Sequence, residues 1–193
     1  PPPAPVFNRA SLGVQDFDPE VQRAVNRIQS VEQTLAIIDA CRTHGLQSVN
    51  VDLIYGLPKQ SLAGFSRTLD ITLEARPDRL AIYSYAHLPS MFRPQQRINA
   101  EDLPSPEVKL GLLQCAIDKL GEAGITRSVM LLNGLGGPTL SGAHAENSAR
   151  LANATQPEFL ATLVVSFPQG EARFRANFPE WEPLDLPALF REM

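Results

Sequence analysis

Few residues in this chain have the type and setting for chemistry, and the most conspicuous is a carboxylate. Asp52 sits in the run VDLIY (residues 51–55), with Val51, Leu53 and Ile54 apolar around it. A carboxylate there must find a partner or bear the cost of desolvation, so it is either functional or a structural group paired with a cation. Gln15 closes the β-rich run RASLGVQ (9–15), and Arg27 follows in the next predicted helix. Parallel α/β folds place ligands at the C-terminal ends of their strands, which is where Gln15 falls. Arginine offers a permanent fork of donors suited to a carboxylate, although both residues could equally be ordinary rim side chains. The loop NGLGG (133–137) could turn backbone N–H groups toward an anion. It lacks the Lys-Ser/Thr ending of a P-loop.

The remaining reactive side chains do not assemble into a site. Cys41 and Cys115, the two cysteines, both fall in helical patterns and read as reduced core thiols of a cytoplasmic protein. His44, three residues from Cys41, does not complete a metal site. His87 could touch substrate carboxylates or be an ordinary loop histidine, and three scattered histidines define no Ser-His-Asp constellation.

Short β-rich runs alternate with longer amphipathic ones. Strands are predicted over 9–15, 48–55, 79–86, 125–133 and 158–167. Helices are predicted from Pro19, over 30–44, 62–75, 106–123 and 139–154, after Gly170, and in the tail 183–193. This alternation calls for parallel pairing through right-handed crossovers, hence an α/β fold. Gly45, Gly56, Pro77 and Leu88-Pro89 are echoed by Gly124, Gly134, Pro157 and Phe167-Pro168 at an offset of about 79 residues. That spacing points to a helix–strand–helix–strand unit used twice.

The 193 residues, 44% of them hydrophobic, suffice for one core of ordinary domain size. A net charge of −4 argues against a general nucleic-acid binder. No apolar run approaches the roughly 18 residues of a membrane span. The opening Pro-Pro-Pro-Ala-Pro has no signal-peptide character and reads as a Pro-rich leader over 1–6 or the start of a truncated chain.

The segments FNRASLGVQDFDPEVQRAVNR, VNVDLIYGLPKQ, RLAIYSYAHLP and DLPSPEVKL, in one register from about 7 to 124, resemble oxygen-independent coproporphyrinogen III dehydrogenase. That family consists of radical S-adenosylmethionine enzymes of haem biosynthesis. From 125 to 193 the text changes, and VMLLNGLGGPTLSGAHAENSARLANATQPEFLATLVVSFPQGE resembles the Elp3-like radical S-adenosylmethionine group. The chain thus reads as a fragment or a chimera, natural or engineered, with its second strand–helix unit packed in the same domain.

The resemblance implies parallel β/α repeats forming a partial TIM-type barrel of about five strands. It implies S-adenosylmethionine as cofactor, bound by Gln15, Arg27, Asp52 and Ala86. Asp52 would take the ribose hydroxyls, Arg27 the methionine carboxylate, and the backbone of Ala86 the adenine. The parent reaction removes propionate carboxylates oxidatively from coproporphyrinogen III, a small-molecule substrate, with no nucleic-acid or membrane partner. It also implies a [4Fe–4S] cluster on a Cys-x-x-x-Cys-x-x-Cys motif, which these residues do not contain. The rival reading is therefore a non-catalytic or engineered α/β barrel-fragment module, at best weakly binding S-adenosylmethionine.

Overall fold

The computed structural model describes residues 7–90, 92–167 and 170–192. The Pro-rich leader and the Pro168 landmark lie outside them. The chain divides into two compact units, one ending at Lys119 and the other beginning at Leu120.

The first unit is built on three parallel strands, β1 (Arg9–Gln15), β2 (Ser48–Tyr55) and β3 (Arg79–Ser84), in the order β1-β2-β3. The crossovers are helices with explicit start signals. α1 (Pro19–Ala24) is capped by the Asp18 carboxylate, with Pro19 in its first turn. α2 (Val31–Thr43) opens with a capping box between Ser30 and Gln33. α3 (Leu62–Glu74) is capped by Ser61. α4 (Pro106–Glu122) follows two short 3-10 segments, Arg93–Arg97 and Ala100–Asp102.

Strand alternation sorts β2 into two faces. Val49, Val51 and Leu53 are fully buried and pack with Val14, Ile38, Phe65, Leu69 and Leu112 into one apolar core. Cys41 and Cys115 are free thiols packed against that same core. Ser48, Asn50 and Asp52 stand on the opposite face and are only half buried. That second face, which also carries Ile54, is polar and hydrogen-bonded around Asn50 and Asp52.

The second unit pairs β4 (Ser128–Asn133) in parallel with β5 (Phe159–Val164). α5 (Gly137–Thr155) connects them, and α6 (Glu171–Asn177) and α7 (Leu186–Glu192) follow. The sequence echo has a structural counterpart. Gly45 and Gly124 both end a helix at positive φ, 81° and 67°. The Asp78 carboxylate accepts the Val49 N–H at 2.7 Å, and the Glu158 carboxylate accepts the Arg127 N–H at 2.6 Å. Tyr85 N–H donates to the Tyr55 carbonyl, as Val165 N–H does to that of Asn133. The same entry into and exit from a parallel pair is thus built twice.

Strands β1 and β2 coincide with their expected bounds. β3 stops at Ser84 rather than Ala86, because the Gln95 side chain bonds the Ala86 carbonyl and the Leu88 N–H and draws the chain into the following loop. β4 starts at Ser128 rather than Ile125, whose N–H is used to close the preceding helix on Leu120. The α/β class with parallel repeats holds in both units. Among the described residues no helix is long and apolar enough to cross a membrane.

Candidate functional site

Gly13, near the end of β1, is where the predicted site residues meet. It is in register with Asp52 on β2, and the ladder slips between Gly13 and Gln15. The slip accompanies a left-handed backbone at Gln15, φ 68°, which is uncommon for a residue with a side chain. It folds the Gln15 amide back over Gly13: a Cβ added to Gly13 would lie 2.6 Å from Gln15 Nε2 and 3.1 Å from Arg27 Nη2. The small residue at this position leaves the space that the Gln15 amide and the Arg27 guanidinium now occupy.

Arg27 lies just past α1 and reaches back to the strand. Its Nε and Nη2 both donate to the Gly13 carbonyl, at 3.1 and 2.6 Å. Two of its five N–H donors are thereby used, and the exposed remainder of the fork stays free for an acceptor.

Asp52 has an ordered setting without a cation. Its Oδ2 accepts the Ser11 hydroxyl at 2.9 Å and its Oδ1 accepts Asn50 Nδ2 at 2.6 Å. Asn50 also donates to Ser11, which closes a three-residue polar cluster. No ion pair involves Asp52 among the described residues, so the alternative of a structural pairing with Arg27 is not what the fold builds. A carboxylate has about four acceptor positions, and two of these are filled.

Ala86 stands apart from the other three. It is exposed, two residues beyond β3, and its carbonyl accepts Gln95 Nε2 at 3.0 Å. Beside it, Tyr85 Oη lies 3.3 Å from His87 Nδ1, and burial pushes the phenol above its ordinary pKa. The Tyr85 carbonyl accepts Lys109 Nζ at 2.6 Å from α4. The Lys109 stem runs over Gly56, where φ of 85° and a would-be Cβ contact of 2.7 Å both require glycine.

The strand ends are tied together by residues that the motif reading passed over. Asp16 is 1% exposed, and its carboxylate accepts Thr68 Oγ1 at 2.7 Å, Asp18 N–H at 2.7 Å and Gln60 Nε2 at 2.6 Å. Gln60 Oε1 in turn accepts the N–H groups of Gly56 and Leu57, at 2.6 and 3.2 Å. Asp16 therefore locks the turn after β2 to the end of β1 and to α3. The polar alternation Ser48, Asn50, Asp52 was a visible signal for the cluster around Asp52. Nothing local marked Asp16 and Gln60, which are 44 residues apart.

In the second unit the glycine loop holds an internal anion. Gly134 N–H donates to Glu192 Oε2 at 2.7 Å, and His144 Nδ1 lies 3.5 Å from the same oxygen. Among the described residues no cluster of three or more His, Cys, Asp and Glu side chains is placed to hold a metal ion.

Residues 3–71 match the Radical SAM superfamily. Over 118 residues the chain is 58% identical to the oxygen-independent coproporphyrinogen III oxidase of Pseudomonas aeruginosa, covering 61% of this chain and 26% of that one. Among solved structures it is similar to the coproporphyrinogen III oxidase of Escherichia coli, a radical SAM enzyme. That likeness has a TM-score of 0.60 at 50% identity over 62% of this chain and 27% of the other. A weaker likeness, TM-score 0.48 at 19% identity, is to Elp3 of the archaeon Methanocaldococcus infernus, over 64% of this chain and 31% of the other. The chain spans about a quarter of the length of the curated relatives it matches.

Proposed function

We propose that residues 7–124 are the nucleoside-binding part of a radical S-adenosylmethionine barrel of the coproporphyrinogen III oxidase kind, and that this chain binds S-adenosylmethionine through Gln15, Arg27 and Asp52. The observation that carries the reading is the state of Asp52. It is a half-buried carboxylate held by two neutral donors, in no ion pair among the described residues, with two acceptor positions left. A pair of vicinal ribose hydroxyls matches that vacancy in number and sign. Each such charge-assisted bond contributes about 1.5–3 kcal/mol. The unused arm of the Arg27 fork suits the methionine carboxylate, and the Gln15 amide over Gly13 adds a polar contact on the same face. Ala86, past the end of β3, offers its unspent N–H to the adenine.

The cluster does not fit the residues present. A [4Fe–4S] centre opens one iron to the methionine moiety and supplies the electron that cleaves the cofactor; it needs three thiolates. The two cysteines of this chain are seated against the apolar core of the first unit. That seating favours the second reading for the chain taken alone: a module that binds the nucleoside and does not cleave it. Oxidative decarboxylation of coproporphyrinogen III is then the work of the parent assembly.

Calorimetric titration with S-adenosylmethionine, beside thermal melts, tests the reading. Asp52→Asn keeps the shape and turns one acceptor into a donor. It should weaken binding about tenfold or more, and leave the melting temperature within about 2 °C. No heat of binding from the unmodified chain, or a variant that melts early and binds normally, would reject the site.

A further inference from the structure

The second unit buries polar groups that nothing around them satisfies. Asn133, at the end of β4, is fully buried, yet neither its Oδ1 nor its Nδ2 has a hydrogen-bond partner among the described residues. Glu192 Oε1 and His144 Nδ1 are buried and unpartnered in the same way. These atoms belong to three residues around one turn. Asn133 opens the glycine loop. Glu192 reaches that loop from α7, where its Oε2 accepts the Gly134 N–H at 2.7 Å, and His144 reaches the same oxygen from α5. Buried polar groups are nearly always hydrogen-bonded, so several orphans at one place call for a ligand they share.

Their chemistry selects the ligand. A carboxylate, an imidazole nitrogen and an amide oxygen are all electron-pair donors, and the Glu192 carboxylate has no arginine or lysine partner among the described residues. His144 Nδ1 and Glu192 Oε2 lie 3.5 Å apart without forming a hydrogen bond. Two donors on one tetrahedral cation, each at roughly the 2.0–2.2 Å of zinc–nitrogen and zinc–oxygen bonds, stand about 3.3–3.6 Å apart. Oε2 keeps a second lone pair beyond the one that Gly134 engages, and that N–H fixes the carboxylate as outer partners fix metal ligands. The loop is held in turn by Trp181, whose Nε1 donates to the Gly134 and Leu135 carbonyls at 3.3 and 3.1 Å. The His144 side chain is 24% exposed, which leaves a route from solvent.

We infer that His144 and Glu192, with the Asn133 amide oxygen as third donor, form a site for a divalent cation of the zinc class, which staples α5 and α7 to the loop after β4. The imidazole favours such a transition ion over magnesium or calcium, which take oxygen ligands. Only two of the donors are of the His, Cys, Asp and Glu kinds, the third being an amide. The set is therefore weaker than the four Cys and His ligands of a structural zinc site, and micromolar binding is expected. The nucleoside contacts proposed above all lie in the first unit, so the two sites stand or fall separately.

The test is a titration of the chelator-treated chain with zinc chloride, followed by Trp181 fluorescence, and with cobalt(II), followed by visible absorption. One equivalent of zinc should bind and raise the melting temperature, and magnesium should do neither. Cobalt should give d–d bands without the thiolate charge-transfer band that Cys41 or Cys115 would add. His144→Gln and Glu192→Gln should each weaken zinc at least tenfold. Glu192→Gln keeps an acceptor for Gly134, so its metal-free melt within about 2 °C of the unmodified chain, with the zinc-dependent rise gone, marks a lost ligand and not a lost fold. A third measurement leaves the site untouched. In a His44→Gln, His87→Gln background His144 is the one histidine left, and its imidazole proton resonances should move with the first equivalent of zinc. Resonances that stay in place, zinc affinity unchanged in either site variant, a thiolate band, or no zinc binding at all overturns the site; the last leaves a buried water or a plain His144–Glu192 pair in its place.

Discussion

Replacing Asp16 should unfold the first unit more readily, and by an amount that depends on which atoms are lost. In the native chain its carboxylate accepts three hydrogen bonds at 2.6–2.7 Å while 1% exposed. Asp16→Asn can keep Oδ1 as acceptor for Thr68 and Asp18, but it places an NH₂ opposite Gln60 Nε2, donor against donor. Gln60 cannot turn over to relieve this, because its Oε1 already accepts Gly56 and Leu57. One charge-assisted bond is lost and a donor is stranded, which costs about 1–3 kcal/mol. Asp16→Ala strands three donors at once. Gln60 Nε2 retains the Ile54 carbonyl at 2.9 Å, so the losses do not add fully, and about 3–5 kcal/mol is expected. Typical domain stability is about 5–15 kcal/mol, so the alanine variant nears unfolding at the lower end of that range. Trp181, the chain's one tryptophan, lies in the second unit, so its fluorescence does not report this change. Urea dependence of hydrogen exchange at the Val51 and Leu53 amides does. An asparagine variant within about 0.5 kcal/mol of wild type, or one less stable than the alanine variant, would refute the network as the lock on the strand ends.

Two further outcomes are expected. Gly13→Ala places a methyl where the Gln15 amide now lies, and that amide is the far end of a flexible side chain; S-adenosylmethionine affinity should fall while the melting temperature changes little, and an unchanged affinity would remove Gln15 from the site. The Arg127 N–H holds the Glu158 carboxyl below its ordinary value of 4.5, with the Arg127 guanidinium adding to the effect. A depressed carboxyl stabilises the fold above its unfolded pKa and loses that contribution as pH falls through the folded one. Melts followed by Trp181 fluorescence should therefore show Glu158→Gln less stable at neutral pH and equal to wild type in acid; a gap that persists in acid would point to lost shape, not lost charge.

Local patterning carried the sequence a long way here. Alternation over 48–55 delimited β2, because side-chain period is set within a few residues of the chain, whereas the caps that Ser30 and Ser61 supply came into view only in the structure. Loop exits were misjudged for an equally physical reason. Whether β3 continues to Ala86 depends on Gln95, nine residues on, competing for its backbone groups.

Asp52, Gln15 and Arg27 stood out by type and setting, and the resemblance added Ala86 and attached a role to each. It could not say that Arg27 would spend two donors on Gly13, that Asp52 would be held by Ser11 and Asn50 in place of a cation, or that Ala86 would stand apart. Those outcomes depend on strand register and on a slip of one residue after Gly13. The chain by itself determined its helices, its strands and the identity of its polar groups, since these follow from local propensity and alternation. Tertiary structure alone decided which donors and acceptors were spent on one another and which were left for a ligand, because a hydrogen bond between residues some forty positions apart exists only once the strands that carry them are side by side.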